Sequence, residues 1–270
     1  MTDTATAGSG TEADRFPNGT FSPAPGRGRV SRMLSRHTRI EALLILRHGE
    51  QALLTLIIPL ALLIGLSTLR IGALPEPRVD SVAPRVLALA VMSTAFTGQA
   101  IALGFDRRYG VIKRLSATAL PTRILISGRV LATLLVVALQ AVVLAATAFV
   151  LGWTPSLAGL PMAVGLLVLG TLAFGAAGVL VGGFFRAEIV LALANAIWFL
   201  LLLAGGLALP TSELPGAVGA VAGFLPSGAL AEALEATLMH GALPGAQPVV
   251  VLALWGALAG ALASRTTRLT

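Results

Sequence analysis

Residues able to carry covalent, metal or acid–base chemistry are scarce in this 270-residue sequence. It has no cysteine, which excludes disulfides, thiolate nucleophiles and thiolate metal sites. Its three histidines, His37, His48 and His240, do not stand at metal-ligand spacing, and no cluster of acids or His/Asp pair suits a prenyl- or phosphotransferase. The single lysine, Lys113, follows Ile112, so the chain lacks the Gly-Lys-Ser/Thr loop that holds nucleotide phosphates. The sequence therefore predicts no catalytic residue, no metal and no cofactor bound by this chain.

The feature that remains is a concentration of charge in residues 106–123, DRRYGVIKRLSATALPTR. Five of these eighteen residues are basic, yet apolar runs of membrane-crossing length lie on both sides. Apolar side chains recur at helical spacing, with basic ones between them. The apolar positions are Tyr109, Ile112, Leu115 and Ala119, the basic ones are Arg107, Arg108, Lys113 and Arg114, and Pro121 ends the segment. Either this is a basic loop that only fixes membrane orientation, or it is a short amphipathic helix that binds a cytoplasmic partner.

The composition requires a membrane as the solvent for the rest of the chain. Hydrophobic residues make up 56% and charged residues 11%, whereas soluble domains average about 25% charged residues. The net charge of +7 would suggest nucleic acid in a soluble protein. In a membrane protein it follows from basic residues on the cytoplasmic side, so no nucleic-acid partner is predicted. The fold class expected is an all-α membrane protein.

The chain divides into a tail, an interfacial helix and a membrane domain. Residues 1–30 are rich in Gly, Ser, Thr and Pro and are predicted to form a disordered cytoplasmic tail. Residues 31–48 predict an amphipathic helix in the lipid headgroup region, with Arg32, Arg36, Arg39 and Arg47 toward anionic lipid and water. Met33, His37, Ile40 and Leu44 form its adjoining face. Residues 49–270 form the membrane domain, with six spans at about 52–69, 84–105, 124–151, 161–184, 189–209 and 248–263.

The distribution of basic residues predicts the orientation of the chain. With the N-terminus inside, sixteen basic residues lie on the cytoplasmic side, and only Arg70, Arg78 and Arg85 lie outside. Both termini and residues 106–123 are therefore expected in the cytoplasm. Eighteen arginines against one lysine, with abundant alanine, are typical of a GC-rich bacterial genome, so the plasma (inner) membrane is the expected location.

The basic segment resembles a known signature. FDRRYGVIKRLSATALPTRILISGRV is similar to the loop of type-2 ABC exporter permeases of the multidrug and antibiotic-resistance branch. The match comprises an acidic-basic pair, a glycine, IKRL, a small-residue run ending in proline, and Gly-Arg entering the next helix. The sequence departs from the family in having TALP where TPLP or TPLS is common, although Pro121 is kept.

The resemblance implies roles for named residues. It implies that residues 106–121 form a coupling helix on a separate ATPase subunit, through which ATP and Mg²⁺ act, and that a second permease subunit completes the transporter. The coupling residues implied are Asp106, Arg107, Arg108, Tyr109, Gly110, Ile112, Lys113, Arg114, Leu115, Thr118 and Pro121. It further implies re-entrant or interfacial helices between residues 210 and 246, with Leu225 and Pro226 as an extracellular gate.

Uncharged polar residues occur within the predicted spans. They are Ser93, Thr94, Thr97, Gln99, Gln140 and Asn195. Hydrogen bonding between helices is the favoured interpretation, and a weakly polar export path between spans two and five at a dimer interface is the alternative. None of the spans has an acid in its central region, which argues against a proton-coupled antiporter.

The sequence thus predicts the membrane subunit of an ATP-driven exporter for a hydrophobic or amphiphilic compound such as a drug or lipid. A polysaccharide or teichoic-acid exporter permease is the nearer alternative, which the low aromatic content of 5% disfavours. A secondary transporter is the more distant one.

Overall fold

A computed structural model describes residues 29–47, 49–69, 77–117, 121–207 and 216–266. Within these ranges the chain forms helices and turns and no strand, which confirms the predicted all-α membrane class. The α-helices are α1 (Val30–Arg47), α2 (Gly49–Thr68), α3 (Arg78–Val91), α4 (Gln99–Arg108), α5 (Val111–Ser116), α6 (Thr122–Val150), α7 (Leu160–Phe184), α8 (Ala187–Ala204), α9 (Gly216–Ala222), α10 (Pro226–His240) and α11 (Ala246–Thr266). The predicted tail lies outside the described residues up to residue 28, and Val30 already begins α1.

Five helical segments of the described chain are long and apolar enough to cross a membrane. They are Arg78–Arg108, Arg123–Val150, Leu157–Phe184, Ala187–Ala204 and Ala246–Thr266. The predicted first span corresponds to α2, whose apolar part, Thr55–Thr68, is shorter. The count of six spans therefore stays a prediction.

The helices differ from the predicted spans mainly at their ends. The second begins at Arg78, six residues before the predicted 84, because Pro77 has an extended backbone that starts the helix and Asp80 suits its first turn. The fifth ends at Ala204, where Gly205 and a left-handed Gly206 terminate it, instead of at 209. A hydropathy window detects only the apolar part of a helix, whereas the helix itself often continues through polar residues at its ends. The predicted spans and the observed helices therefore end at different residues.

The helix from Arg78 to Arg108 is the centre of the protein. In its most apolar window 78% of the residues are buried, against 22–33% in the other four long helices. It packs on α2, α6, α7, α8 and α10. Seven residues in its middle, Met92–Gly98, form a π-helical segment, which is a widened helical turn. Such turns are rare in proteins, and those that occur are often found at functional sites.

Helix α7 approaches this central helix through glycine. A Cβ at Gly178 would lie 2.7 Å from the Phe96 carbonyl oxygen, and one at Gly182 would lie 2.4 Å from that of Ala100. Both distances are below any real Cβ contact, so only glycine permits this backbone approach.

Helix α1 packs along α6 through a narrow buried face. The buried residues are Thr38 and Ala42, with Ala42 contacting a cluster that includes Ala132 and Val136. Ile40 and Leu44, on the predicted face beside the arginines, are exposed and do not pack on α6, so the interfacial position of the helix stays a prediction. Small residues let the two backbones approach, and the large apolar ones are left for lipid. The predicted arginines Arg32, Arg36, Arg39 and Arg47 are all exposed.

Two helices precede the last long helix, as expected. Helix α10 is buried along most of its length against α3, α7, α8 and α11, so it is part of the bundle. The Ser227 hydroxyl donates to the Leu201 carbonyl oxygen at 3.0 Å, close to where α8 ends. Glycine at position 205 allows α10 to pass this close to the end of α8, because a Cβ there would clash with the Ser227 hydroxyl.

Candidate functional site: the basic end of the bundle

The segment singled out by its charge lies at one end of the bundle, here called the basic end and comprising residues 104–117 and 184–188. Helix α4 stops at Arg108, and Gly110 has a left-handed backbone (φ +68°) that turns the chain into α5. Helix α5 has only six residues, Val111–Ser116, and Pro121 begins α6. The predicted residue Thr118 lies outside the described residues.

Arg107 binds the end of α7. Its guanidinium donates to the carbonyl oxygens of Gly182 (3.1 Å) and Phe185 (3.3 Å). The last carbonyls of a helix have no intrahelical partner and carry partial negative charge, so a cation at this position stabilises the helix end. Arg107 therefore connects the basic segment to α7.

Two ion pairs connect the same segment to α8 and α6. The Arg108 guanidinium pairs with the Glu188 carboxylate, at the start of α8. The Asp106 carboxylate accepts from Arg129 of α6 at 2.6 Å, and both side chains are at most a third exposed. Three consecutive residues, 106–108, thus bind three different long helices.

The tip of the segment is turned outward. Tyr109 is 62% exposed, and Lys113 and Arg114 are exposed as well. Arg114 donates to the Tyr109 carbonyl oxygen at 2.8 Å, which fixes the turn, and Arg108 lies over the tyrosine ring at 5.9 Å. Of the apolar positions predicted for the amphipathic helix, Ile112 and Leu115 are half-buried and Tyr109 is exposed, while Ala119 lies outside the described residues.

A cleft of about 450 Å³ opens between the basic segment and the α7–α8 junction. Its lining includes Arg107, Arg108, Lys113, Arg186 and Glu188. Sequence reasoning treated residues 186–188 only as a short turn and missed their place in this cleft. The charge of that turn, RAE between two apolar runs, was the signal that could have found them.

The polar residues predicted inside the spans form interhelical hydrogen bonds near the π-helical segment. Thr94 donates to the Gln140 side-chain oxygen at 2.8 Å, joining the central helix to α6. The Trp198 indole of α8 donates to the Ser93 hydroxyl at 2.9 Å. Gln99 donates to Thr133, again on α6. The favoured interpretation of hydrogen bonding thus applies to these residues, whose role in a path stays a prediction.

Thr97 and Asn195 differ from that group. The Thr97 hydroxyl is buried and has no hydrogen-bond partner within the described chain. Asn195 is exposed on α8, and its amide donates to the Leu191 carbonyl oxygen of the preceding turn at 2.9 Å. Its apolar neighbours Leu191 and Phe199 are exposed as well, and a role of this face in a path stays a prediction.

The residues predicted as an extracellular gate lie at the other end of the bundle. Leu225 is half-buried with an extended backbone, and Pro226 is the first residue of α10. Nine residues further along α10, Glu235 pairs with the buried Arg85 of the central helix. The proposed gate is thus held by packing and by one ion pair, and its function as a gate stays a prediction.

No group of three or more His, Asp or Glu side chains that could hold a metal ion occurs among the described residues. The arrangement consists of long apolar helices, buried hydrogen bonds between them and a charged segment that ties three helices together. These features define a multi-pass, all-α membrane protein.

Comparison with protein families agrees with this class. The model of the ABC-2 type transporter family matches residues 32–239, about three quarters of the chain, and the protein belongs to that family. Members are permease subunits of ABC transporters, which have no ATPase site of their own and work with ABC ATPases. The match covers both the basic segment and the α10 region. No curated protein is significantly similar in sequence to this chain.

Proposed function

We propose that this permease exports a hydrophobic or amphiphilic compound, a drug or lipid, with energy from a separate ATPase subunit that binds the basic segment. The observation that supports coupling is the set of bonds made by residues 106–108 to α6, α7 and α8. A force applied to the exposed turn would reach three long helices through direct polar contacts.

Within this proposal the residues of the segment divide into two groups. Asp106, Arg107 and Arg108 are bound inside the chain and transmit movement. Tyr109, Lys113 and Arg114 are exposed and contact the ATPase. The basic end lies in the cytoplasm of a bacterial cell, in line with the excess of basic residues there.

The export path lies between two permease subunits, along α8. Its exposed Asn195 stands on an otherwise apolar face, a surface suited to weakly polar cargo or to a second subunit. Ser93, Thr94, Thr97, Gln99 and Gln140 line or support this path from the central helix and α6. Replacing Ser93, Thr97 and Asn195 together by alanine then changes which compounds are exported, and unchanged export at equal protein levels contradicts the path.

The first experiment is purification of the tagged chain from its own host in mild detergent, with identification of the soluble proteins recovered. Wild type is compared with Lys113→Glu and Arg114→Glu, which reverse exposed charges at the tip. Arg265→Glu is the matched control, because it reverses an exposed charge in the last turn of α11, outside the basic segment. All variants are first shown to reach the membrane in equal amounts.

Recovery of an ATPase with wild type and Arg265→Glu, but not with the tip variants, supports the proposal. Loss with all three variants indicates a general charge effect and contradicts a specific contact. Absence of an ATPase from every preparation, together with transport that requires a proton gradient, establishes a secondary transporter instead.

A further inference from the structure

The cleft at the basic end is lined by more basic than acidic side chains. Its lining carries four basic side chains and one acid, Glu188, which gives a net charge of +3. Arg107 and Arg108 already have partners. The Arg186 guanidinium, by contrast, is exposed and makes no hydrogen bond or ion pair within the described part of the chain. Cations gathered at one cleft repel each other, so an anion bound between them is favoured.

The rest of the lining is apolar and lies where the two long apolar helices α7 and α8 meet. Phe184 and Phe185 end α7, and Ile112 lies opposite on α5. Phe184 is 60% exposed. Beyond it, Ile189 and Leu191 are exposed on the first turns of α8, which lead into the membrane. The cleft therefore continues into an apolar surface, and a soluble anion would leave that surface uncovered.

A ligand that matches both parts has a phosphate and hydrocarbon chains. Basic pockets between transmembrane helices on the cytoplasmic side are a recognised form of anionic-lipid site. The cleft volume, about 450 Å³, falls within the ~300–1,000 Å³ range of small-molecule sites. An acidic protein segment would satisfy the charges but would not account for the exposed Phe184.

We propose that the cleft binds the headgroup phosphate of an anionic phospholipid at Arg186, beside Arg108, with an acyl chain along Phe184 and the start of α8. The site does not depend on the proposed export function, because it requires only this chain and a membrane. A lipid held there would brace the α4–α5 turn against the α7–α8 junction.

The test places a fluorescent reporter in the cleft. Phe184→Trp keeps an aromatic ring there, and the signal of Trp153, Trp198 and Trp255 is subtracted with the unsubstituted protein. The purified chain is reconstituted into nanodiscs with increasing fractions of phosphatidylglycerol or phosphatidylcholine, each with brominated acyl chains that quench nearby tryptophan. Arg186→Gln is compared on this background with Arg123→Gln, an exposed arginine in the first turn of α6 that does not line the cleft. Elution volume and melting temperature verify that every variant is folded.

The expected result is quenching at lower mole fraction of phosphatidylglycerol than of phosphatidylcholine. Arg186→Gln weakens this preference about fivefold, which corresponds to ~1 kcal/mol for one basic residue at the membrane surface. Arg123→Gln leaves it unchanged, and Arg186→Lys retains most of it.

Three outcomes overturn the proposal. Equal quenching by the two lipids shows that the cleft does not select anionic headgroups. Equal weakening by Arg186→Gln and Arg123→Gln shows general attraction to the basic end and no site. Loss of quenching when soluble glycerol phosphate is added shows a site for a free phosphate compound. If anionic lipid is not selected while Arg186→Glu prevents recovery of an ATPase, the cleft belongs to the partner protein.

Discussion

Arg85 on the central helix and Glu235 on α10, 150 residues apart in sequence, form an ion pair inside the helix bundle. One guanidinium nitrogen of Arg85 lies 3.0 Å and 2.8 Å from the two carboxylate oxygens. The arginine side chain is 7% exposed and the glutamate 29%. The pair fastens α10, and with it the Leu225–Pro226 start of that helix, to the most buried helix of the protein.

Removing one partner of this pair should cost more stability than removing both. Glu235→Gln leaves Arg85 buried without a counter-charge, and loss of about 3 kcal/mol is expected. The double variant, Glu235→Gln with Arg85→Met, has no unpaired buried charge. Its melting temperature should recover at least half of the decrease that Glu235→Gln causes. The measurement is thermal unfolding in detergent for both single variants and the double variant. Strictly additive losses would show that the two side chains do not interact.

The glycines of α7 provide a second prediction. Gly182→Ala places a Cβ 2.4 Å from the Ala100 carbonyl oxygen, so α7 must shift away from the central helix, with a loss of about 1–3 kcal/mol. Gly175→Ala is the matched control on the same helix, since nothing lies within 4 Å of its Cβ. That change should stabilise the helix by up to ~1 kcal/mol through its higher propensity. Melting temperatures that move in the same direction for both variants would contradict the close approach.

This contrast also shows what could be read from the sequence. The Gly178…Gly182 spacing predicts close helix packing only in general, because such matches are frequent in a chain with thirty glycines. The long helices themselves were predictable, since burial in hydrocarbon requires about twenty apolar residues in a row. Which part of the central helix each glycine contacts could not be predicted, because tertiary packing determines it.

The interfacial helix α1 makes the same point for side chains. Amphipathic periodicity placed the large residues Ile40 and Leu44 on the face beside the arginines, but it did not indicate which residues contact α6. In a membrane, lipid solvates large apolar side chains as well as protein does, and close contact is made by small residues such as Thr38 and Ala42. The four arginines of the predicted basic face are exposed, and their contact with lipid headgroups stays a prediction.

Charge at the basic end was visible in the sequence, but its internal partners were not. Arg107 binds backbone carbonyls of Gly182 and Phe185, and backbone acceptors carry no sequence signal. The contacts of Arg108 and Asp106 join residues 80 and 23 positions apart. Sequence reasoning could therefore predict a coupling segment without separating the residues that anchor it from those that face outward.

A third prediction concerns the contact between α1 and α6. His37 fills the space that a side chain at Gly128 would take, with 2.2 Å from a Cβ there to the histidine Cδ2, and its ring nitrogen lies 3.3 Å from the Leu125 carbonyl oxygen. Gly128→Ala should displace α1 and increase proteolytic cleavage of the N-terminal region several-fold. Adding His37→Ala creates room for the new methyl group and should restore resistance. If the double variant is cleaved as fast as Gly128→Ala, the clash is not the cause.

The pair between Asp106 and Arg129 tests whether the bonds of the basic segment transmit movement. Arg129→Asp replaces the 2.6 Å ion pair with two carboxylates that repel each other. ATP-dependent transport in proteoliposomes should then fall about fivefold, the equivalent of ~1 kcal/mol. Exchanging both residues, Asp106→Arg with Arg129→Asp, keeps the pair and the local charge and should restore transport. Arg123→Asp controls for charge reversal on α6. In the proposed arrangement the Asp106–Arg129 pair connects the basic segment to α6 and does not contact the ATPase. ATP hydrolysis should therefore persist in the Arg129→Asp variant while transport falls. Parallel loss of both activities would instead mean that Arg129→Asp detaches the ATPase.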